Sequence, residues 1–121
     1  PFFIVCDIIS DAYVVQSPSF QMYRDAGFLD PWSQVPKRTP GFTCCYQKDL
    51  TGGLQDMNER IDFVLYRDPD DPSPRKISGA VWADLLGADP STRTDSGLWA
   101  SDHRGLSVAF HLPRRGPKAR D

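Results

Sequence analysis

The sequence predicts a sheet-rich α/β domain with one helix. Three observations carry that prediction. Apolar runs of strand length recur at Pro1–Ile9, Arg60–Arg67 and Gly105–Leu112. Only Ser17–Phe28 combines helical spacing with start and stop residues. Between these lie loops rich in Pro, Gly and Asp. With 121 residues, one domain is the expected unit. At 40% hydrophobic and 12% aromatic residues the chain can bury a core and does not read as a disordered tail.

The elements follow in order. "PFFIVCDII" (Pro1–Ile9) is nearly continuous in apolar residues, as expected of a strand buried on both faces. In "SPSFQMYRDAGF", Ser17 is an N-cap, Pro18 occupies the first helical position and Gly27 stops the helix. Phe20, Tyr23 and Ala26 fall on one face. "LDPWSQVPKRTPG" (Leu29–Gly41) is a loop, kept from regular structure by three prolines. "FTCCY" (Phe42–Tyr46) reads as a short strand and "KDLTGGLQDMNE" (Lys48–Glu59) as polar connection. In "RIDFVLYR", Ile61, Phe63 and Leu65 alternate with Asp62, Val64 and Tyr66, a strand pattern with Asp62 inside it. "ISGAVWADLL" (Ile77–Leu86) and "GLSVAFHL" (Gly105–Leu112) complete the strands, separated by the loop Gly87–Gly97. The domain reads as residues 1–112, and "PRRGPKARD" (113–121) as a solvated, basic, Pro/Gly-rich tail.

Charge and composition exclude some functions. The net charge of −2, from 14 basic and 16 acidic residues, gives no global case for a nucleic-acid or membrane partner. No stretch approaches the roughly 18 apolar residues of a membrane helix, and "PFFIV" has no basic leader of a signal peptide. Cys6, Cys44 and Cys45 are an odd set without zinc-type spacing. They read as small buried residues in a reducing setting.

The chemistry-bearing residues are acidic. Asp7, Asp62 and Asp102 each lie in or beside an apolar segment. A carboxylate there is costly unless it is paired or bound to a cation, so the strand ends are expected to converge on one polar spot. Asp102 is followed by His103. An Asp-His pair at a strand entrance alone reads as a turn. His111, in the last strand, reads as structural.

Several stretches together carry a resemblance. "ERIDFVLYR" followed by "SGLWASDHRGLSVAFHL" resembles the end of the endonuclease/exonuclease/phosphatase superfamily, the deoxyribonuclease-like metallophosphoesterases. "AGFLDPWS" followed by "GFTCCYQKDL" resembles its bacterial branch, and "PFFIVCDIISDA" stands where that branch carries Gly-Asp-Phe-Asn and then Ser-Asp-Ala. The resemblance spans Pro1 to about Leu112 and covers the C-terminal half of the family domain. It implies a mixed β-sheet half-sandwich, one half of the family's four-layer α/β sandwich.

By the same resemblance, Asp7 matches the Asp that orients or deprotonates the attacking water. Asp62 matches a strand Asp that supports the site. Asp102 and His103 match an Asp-His ending in which Asp binds metal or orients His, and His stabilises phosphoryl oxygens. The implied catalytic set is Asp7, Asp62 and His103, and the implied metal ligands are Asp7 and Asp102, holding Mg²⁺ or Mn²⁺. Cys6, Ile8 and Ile9 replace the family's Gly, Phe and Asn, and isoleucine cannot hydrogen-bond a phosphoryl oxygen.

The implied function is a divalent-metal-dependent phosphoester hydrolase of the phosphodiester type, its site completed by a second chain. The alternatives are an inactive fragment or relic and a non-hydrolytic binding module. A half-sandwich would leave an apolar sheet face bare, so a homodimer through that face is expected. The partners are then a second copy and a phosphoester substrate, with no membrane, and nucleic acid only as a substrate.

Overall fold

A computed structural model of the chain describes residues 1–8, 17–36, 39–70, 76–77 and 80–111. The described residues form a small α/β structure with one α-helix and two antiparallel sheets of two strands each. Strand β1 (Phe2–Asp7) pairs with β2 (Asp62–Arg67) in a register running from Phe2 opposite Arg67 to Asp7 opposite Asp62. Strand β3 (Ala80–Leu86) pairs with β4 (Gly105–His111), with Trp82 opposite Ala109 and Leu86 opposite Gly105. The described strands therefore form two separate antiparallel pairs rather than one mixed sheet. Ile9, Leu112 and the tail 113–121 lie outside the described residues.

Helix α1 (Pro18–Asp25) begins and ends as the sequence predicts. The Ser17 hydroxyl accepts from the Phe20 amide, and Pro18 opens the first turn. Gly27, at φ 83°, ends it in a conformation that costs glycine nothing. Its amide donates to the Arg24 carbonyl and that of Phe28 to the Tyr23 carbonyl, while the Tyr23 and Phe28 rings meet edge to face. The loop after it contains a 3-10 turn, Pro31–Gln34, capped by Asp30.

Among the described residues, two clusters form the core. Phe20 of α1 stacks on Phe63 of β2, with Leu65 buried beside them and Ile4 and Ile8 packed against the group. Ile61, Phe63 and Leu65 are buried, as their alternation requires. The second cluster stacks Tyr46 on Trp99 with centroids 4.1 Å apart, beside Met57 and Phe42. Phe3, Tyr66 and Phe110 bring the two sheets together through ring contacts of 5.3 to 5.6 Å.

Four expectations are corrected. The expected burial of both β1 faces is not found: Phe2, on the face of Ile4, is 57% exposed and Val5, on the opposite face, 69%, because of the β1 residues only Ile4 packs against the core cluster. Phe42–Tyr46 is not a strand but an extended segment in which Cys44 makes single bridges to Glu59 and His103. Asp62 opens β2 rather than interrupting its middle. The cysteines are not three buried residues: Cys44 is buried, but Cys6 is exposed on β1 and Cys45 is partly exposed. Among the described residues, no helix is long and apolar enough to cross a membrane.

Candidate functional site

The site is assembled around the extended segment Thr43–Tyr46. On one side, the Thr43 and Cys44 amides donate to the Glu59 carbonyl. The buried Thr43 hydroxyl accepts from the amides of Ile61 and Asp62, both at 3.1 Å. On the other side, the Arg104 amide donates to the Thr43 carbonyl and the Tyr46 amide to the Asp102 carbonyl. One short segment thus fixes the backbone of Asp62 and of His103 at once.

Their side chains meet. His103 Nδ1 lies 2.9 Å from Asp62 Oδ2, with both side chains partly exposed. An ionised carboxylate only accepts, so Nδ1 carries the hydrogen and Nε2 points away from Asp62. The antiparallel register sets Asp7 opposite Asp62. Ligand atoms of Asp7, Asp62 and His103 all lie within 4.8 Å of one another. Like charges directly opposite on paired strands repel, and a cation or imidazolium relieves that repulsion.

Burial pulls the His103 imidazolium down, but other effects outweigh it. The hydrogen bond that His103 donates to Asp62, the Asp62 charge, and the charges of Asp7 and Asp102 hold the His103 pKa above its ordinary value. Asp102 acts from further out. Its carbonyl is committed to Tyr46, its carboxylate lies 3.5 Å from the Ser101 hydroxyl, and it stands outside the close trio. His111 lies exposed at the end of β4.

A layered stack supports the loop that carries His103. Arg93 lies 4.3 Å over Trp99, Trp99 stacks on Tyr46, and Arg104 lies 5.3 Å from the other ring. Arg104 Nε donates to the Tyr46 hydroxyl, which donates to the Gly87 carbonyl. His103 lines an open depression of about 250 Å³ with Leu86, Gly87, Thr92, Trp99 and Ser101. A separate cavity of about 190 Å³ around Arg60 and Phe20 holds none of the trio.

Sequence reasoning missed Cys45. Its Sγ lies 3.8 Å from His103 Nε2, and Cys44, Cys45 and His103 form a second cluster of possible ligands. The signal was the adjacent cysteine pair itself, but 58 residues separate Cys45 from the imidazole. Compared with family models, with curated proteins and with solved structures, the chain has no match.

Proposed function

We propose that the chain is a divalent-metal-dependent phosphoester hydrolase of the phosphodiester type, with its active site completed by a second copy. The observation that carries this reading is the convergence of Asp7, Asp62 and His103 within 4.8 Å. The sequence resemblance to the endonuclease/exonuclease/phosphatase superfamily supplies the roles, and the half-sandwich architecture belongs to the same proposal.

The donor set fits a hard cation. Carboxylate oxygens suit Mg²⁺ or Mn²⁺. Asp7 is the ligand supported by geometry, and Asp102 enters from the resemblance alone. A bound ion would neutralise phosphoryl oxygens and acidify a water. Asp62 accepts the Nδ1 hydrogen and orients the ring. The raised His103 pKa favours the imidazolium, whose Nε2–H would donate to a phosphoryl oxygen. Asp7 accepts from the attacking water. The partner copy sits on the face of β1 that carries the exposed Phe3 and Val5.

One observation favours a second reading, a non-catalytic relative. Ile9 stands where the resembled family carries Asn, and it cannot hold a phosphoryl oxygen. Hydrolysis of a chromogenic phosphodiester decides between them. Turnover should require Mn²⁺, stop with chelator, and fall about 10²- to 10³-fold in His103→Ala, the cost of one preorganised donor. Turnover indifferent to all three changes would sink the proposal, and binding of the phosphodiester without turnover would establish the second reading.

A further inference from the structure

We infer that the cavity of about 480 Å³ lined by Trp32, Phe42, Leu54, Leu85 and Arg104 binds a small monoanion, a carboxylate carried on a flat apolar body, with the Arg104 guanidinium as its anchor. This inference does not rest on the proposed hydrolysis, since none of Asp7, Asp62 and His103 lines the cavity.

Three observations carry it. First, Arg104 is only 9% exposed, yet among the described residues its guanidinium meets no carboxylate. The buried Arg60, by contrast, is neutralised by Asp30. A guanidinium stays charged at any ordinary pH, and a buried charge is costly unless an opposite charge meets it. Second, the Arg104 donors are unevenly used. Nε donates to the Tyr46 hydroxyl at 3.0 Å, Nη1 reaches the Phe42 carbonyl only at 3.5 Å, and Nη2 is buried with no partner. The Nη1–Nη2 edge is a fork that a carboxylate can take with two parallel hydrogen bonds. Third, the walls are apolar, and the volume falls in the range of small-molecule sites. Gly41, at φ 78°, lets the Trp32 indole stand as one wall, since a Cβ there would overlap the ring.

The donor set selects the ligand. A carboxylate supplies the missing counter-charge of Arg104, and an apolar body on the same molecule excludes water from the pair, which strengthens it. A neutral molecule of the same shape would gain the apolar contacts and leave the guanidinium unmet. The cavity also carries Asp84, which is exposed and accepts from the Leu85 amide. Its charge opposes an anion, so the ligand carries one negative charge rather than several, and binds less tightly than it would beside a neutral residue.

The test titrates the full chain with 3-phenylpropionate and with its amide, followed by NMR. The acid should move the Trp32 indole N–H signal saturably, with a Kd of about 1 mM or tighter, the range open to so few atoms. The signal of Trp82, which lies outside the cavity, should stay in place. The amide should bind about 10- to 100-fold more weakly, the worth of hydrogen bonds to a charged group. Arg104→Gln should erase that preference. Because Arg104 also holds Tyr46, two variants at exposed positions keep the test decisive if Arg104→Gln does not fold. Asp84→Asn should tighten the acid several-fold and leave the amide unchanged, and Leu54→Glu should weaken the acid more than the amide. Equal binding of acid and amide, an acid affinity unaltered in Asp84→Asn, or acid binding that moves no Trp32 signal would each overturn the site. Since every readout is binding, a failed hydrolysis assay leaves the result intact.

Discussion

His103 Nδ1 meets Asp62 Oδ2 at 2.9 Å although 41 residues separate the two in the chain. Because this contact raises the His103 pKa, it ties stability to pH. A raised folded-state pKa means that the stabilisation is complete below the unfolded imidazole value, about 6.5. It is lost as pH rises through the folded value. The urea midpoint of the wild type should therefore exceed that of Asp62→Asn most at a pH below that value. The gap should narrow about two units above it. A gap that stays constant or widens with pH would show that the pair does not favour the imidazolium.

Asp30→Ala should be among the most destabilising single changes. Asp30 Oδ2 lies 2.6 Å from Arg60 Nη2, with the two side chains 6% and 8% exposed. The same carboxylate caps the 3-10 turn at the Trp32 amide. Removing it strands a buried guanidinium, at a cost of about 3–5 kcal/mol. Replacing both residues together with apolar side chains of similar size should recover part of the loss. A loss within about 0.5 kcal/mol, ordinary for a surface change, would mean that the pair is solvated.

Thr43→Val tests the scaffold beneath the site. The hydroxyl accepts from two amides, and valine of the same shape leaves both without that partner. The expected cost is about 1–3 kcal/mol per orphaned group. The more specific readout is the His103 titration followed by NMR. Displacing Asp62 should lower the His103 pKa toward its ordinary value, and Thr43→Ser should restore it. An unchanged titration in a destabilised Thr43→Val would confine Thr43 to a structural role.

How much of this was legible in the sequence depends on the range of the interaction. Helix α1 is written locally, in Ser17, Pro18 and Gly27, and those residues act where the chain places them. The alternation of Ile61, Phe63 and Leu65 marks one buried side of β2, but not the burial of Tyr66 on the other side against Phe3 and Phe110. The apolar run of β1 carries no such information, since burial needs something to pack against, and only Ile4 and Ile8 find the core. "FTCCY" has strand-like composition, but its neighbours offer only single bridges. Asp7 and Asp62 stand out in the sequence as carboxylates in or beside apolar segments, and the resemblance adds a role for His103. Their convergence depends on the β1–β2 register and on Thr43, which no local pattern encodes. Cys45 was overlooked because its imidazole neighbour is remote in sequence.

The last prediction concerns the bare side of the sheets. Phe2, Val5 and Trp82 are each more than half exposed, and Leu86 is as open as Phe2. Isolated apolar residues on a surface are ordinary, but Val5 and the 47% exposed Phe3 share one face of a six-residue strand. A second copy related by a twofold axis would cover such a surface with its own equivalent, the simplest closed arrangement. If the sheet face is the interface, Val5→Lys should disrupt it by burying an unpaired charge. Residues of the core cluster around Phe20 and Phe63 would be untouched. Size exclusion with light scattering at several concentrations should give twice the 13.6 kDa chain mass for the wild type and the chain mass for Val5→Lys. A wild type that stays monomeric at high concentration would remove the dimer. It would also remove the second copy as the source of the remaining ligands of the Asp7, Asp62 and His103 site.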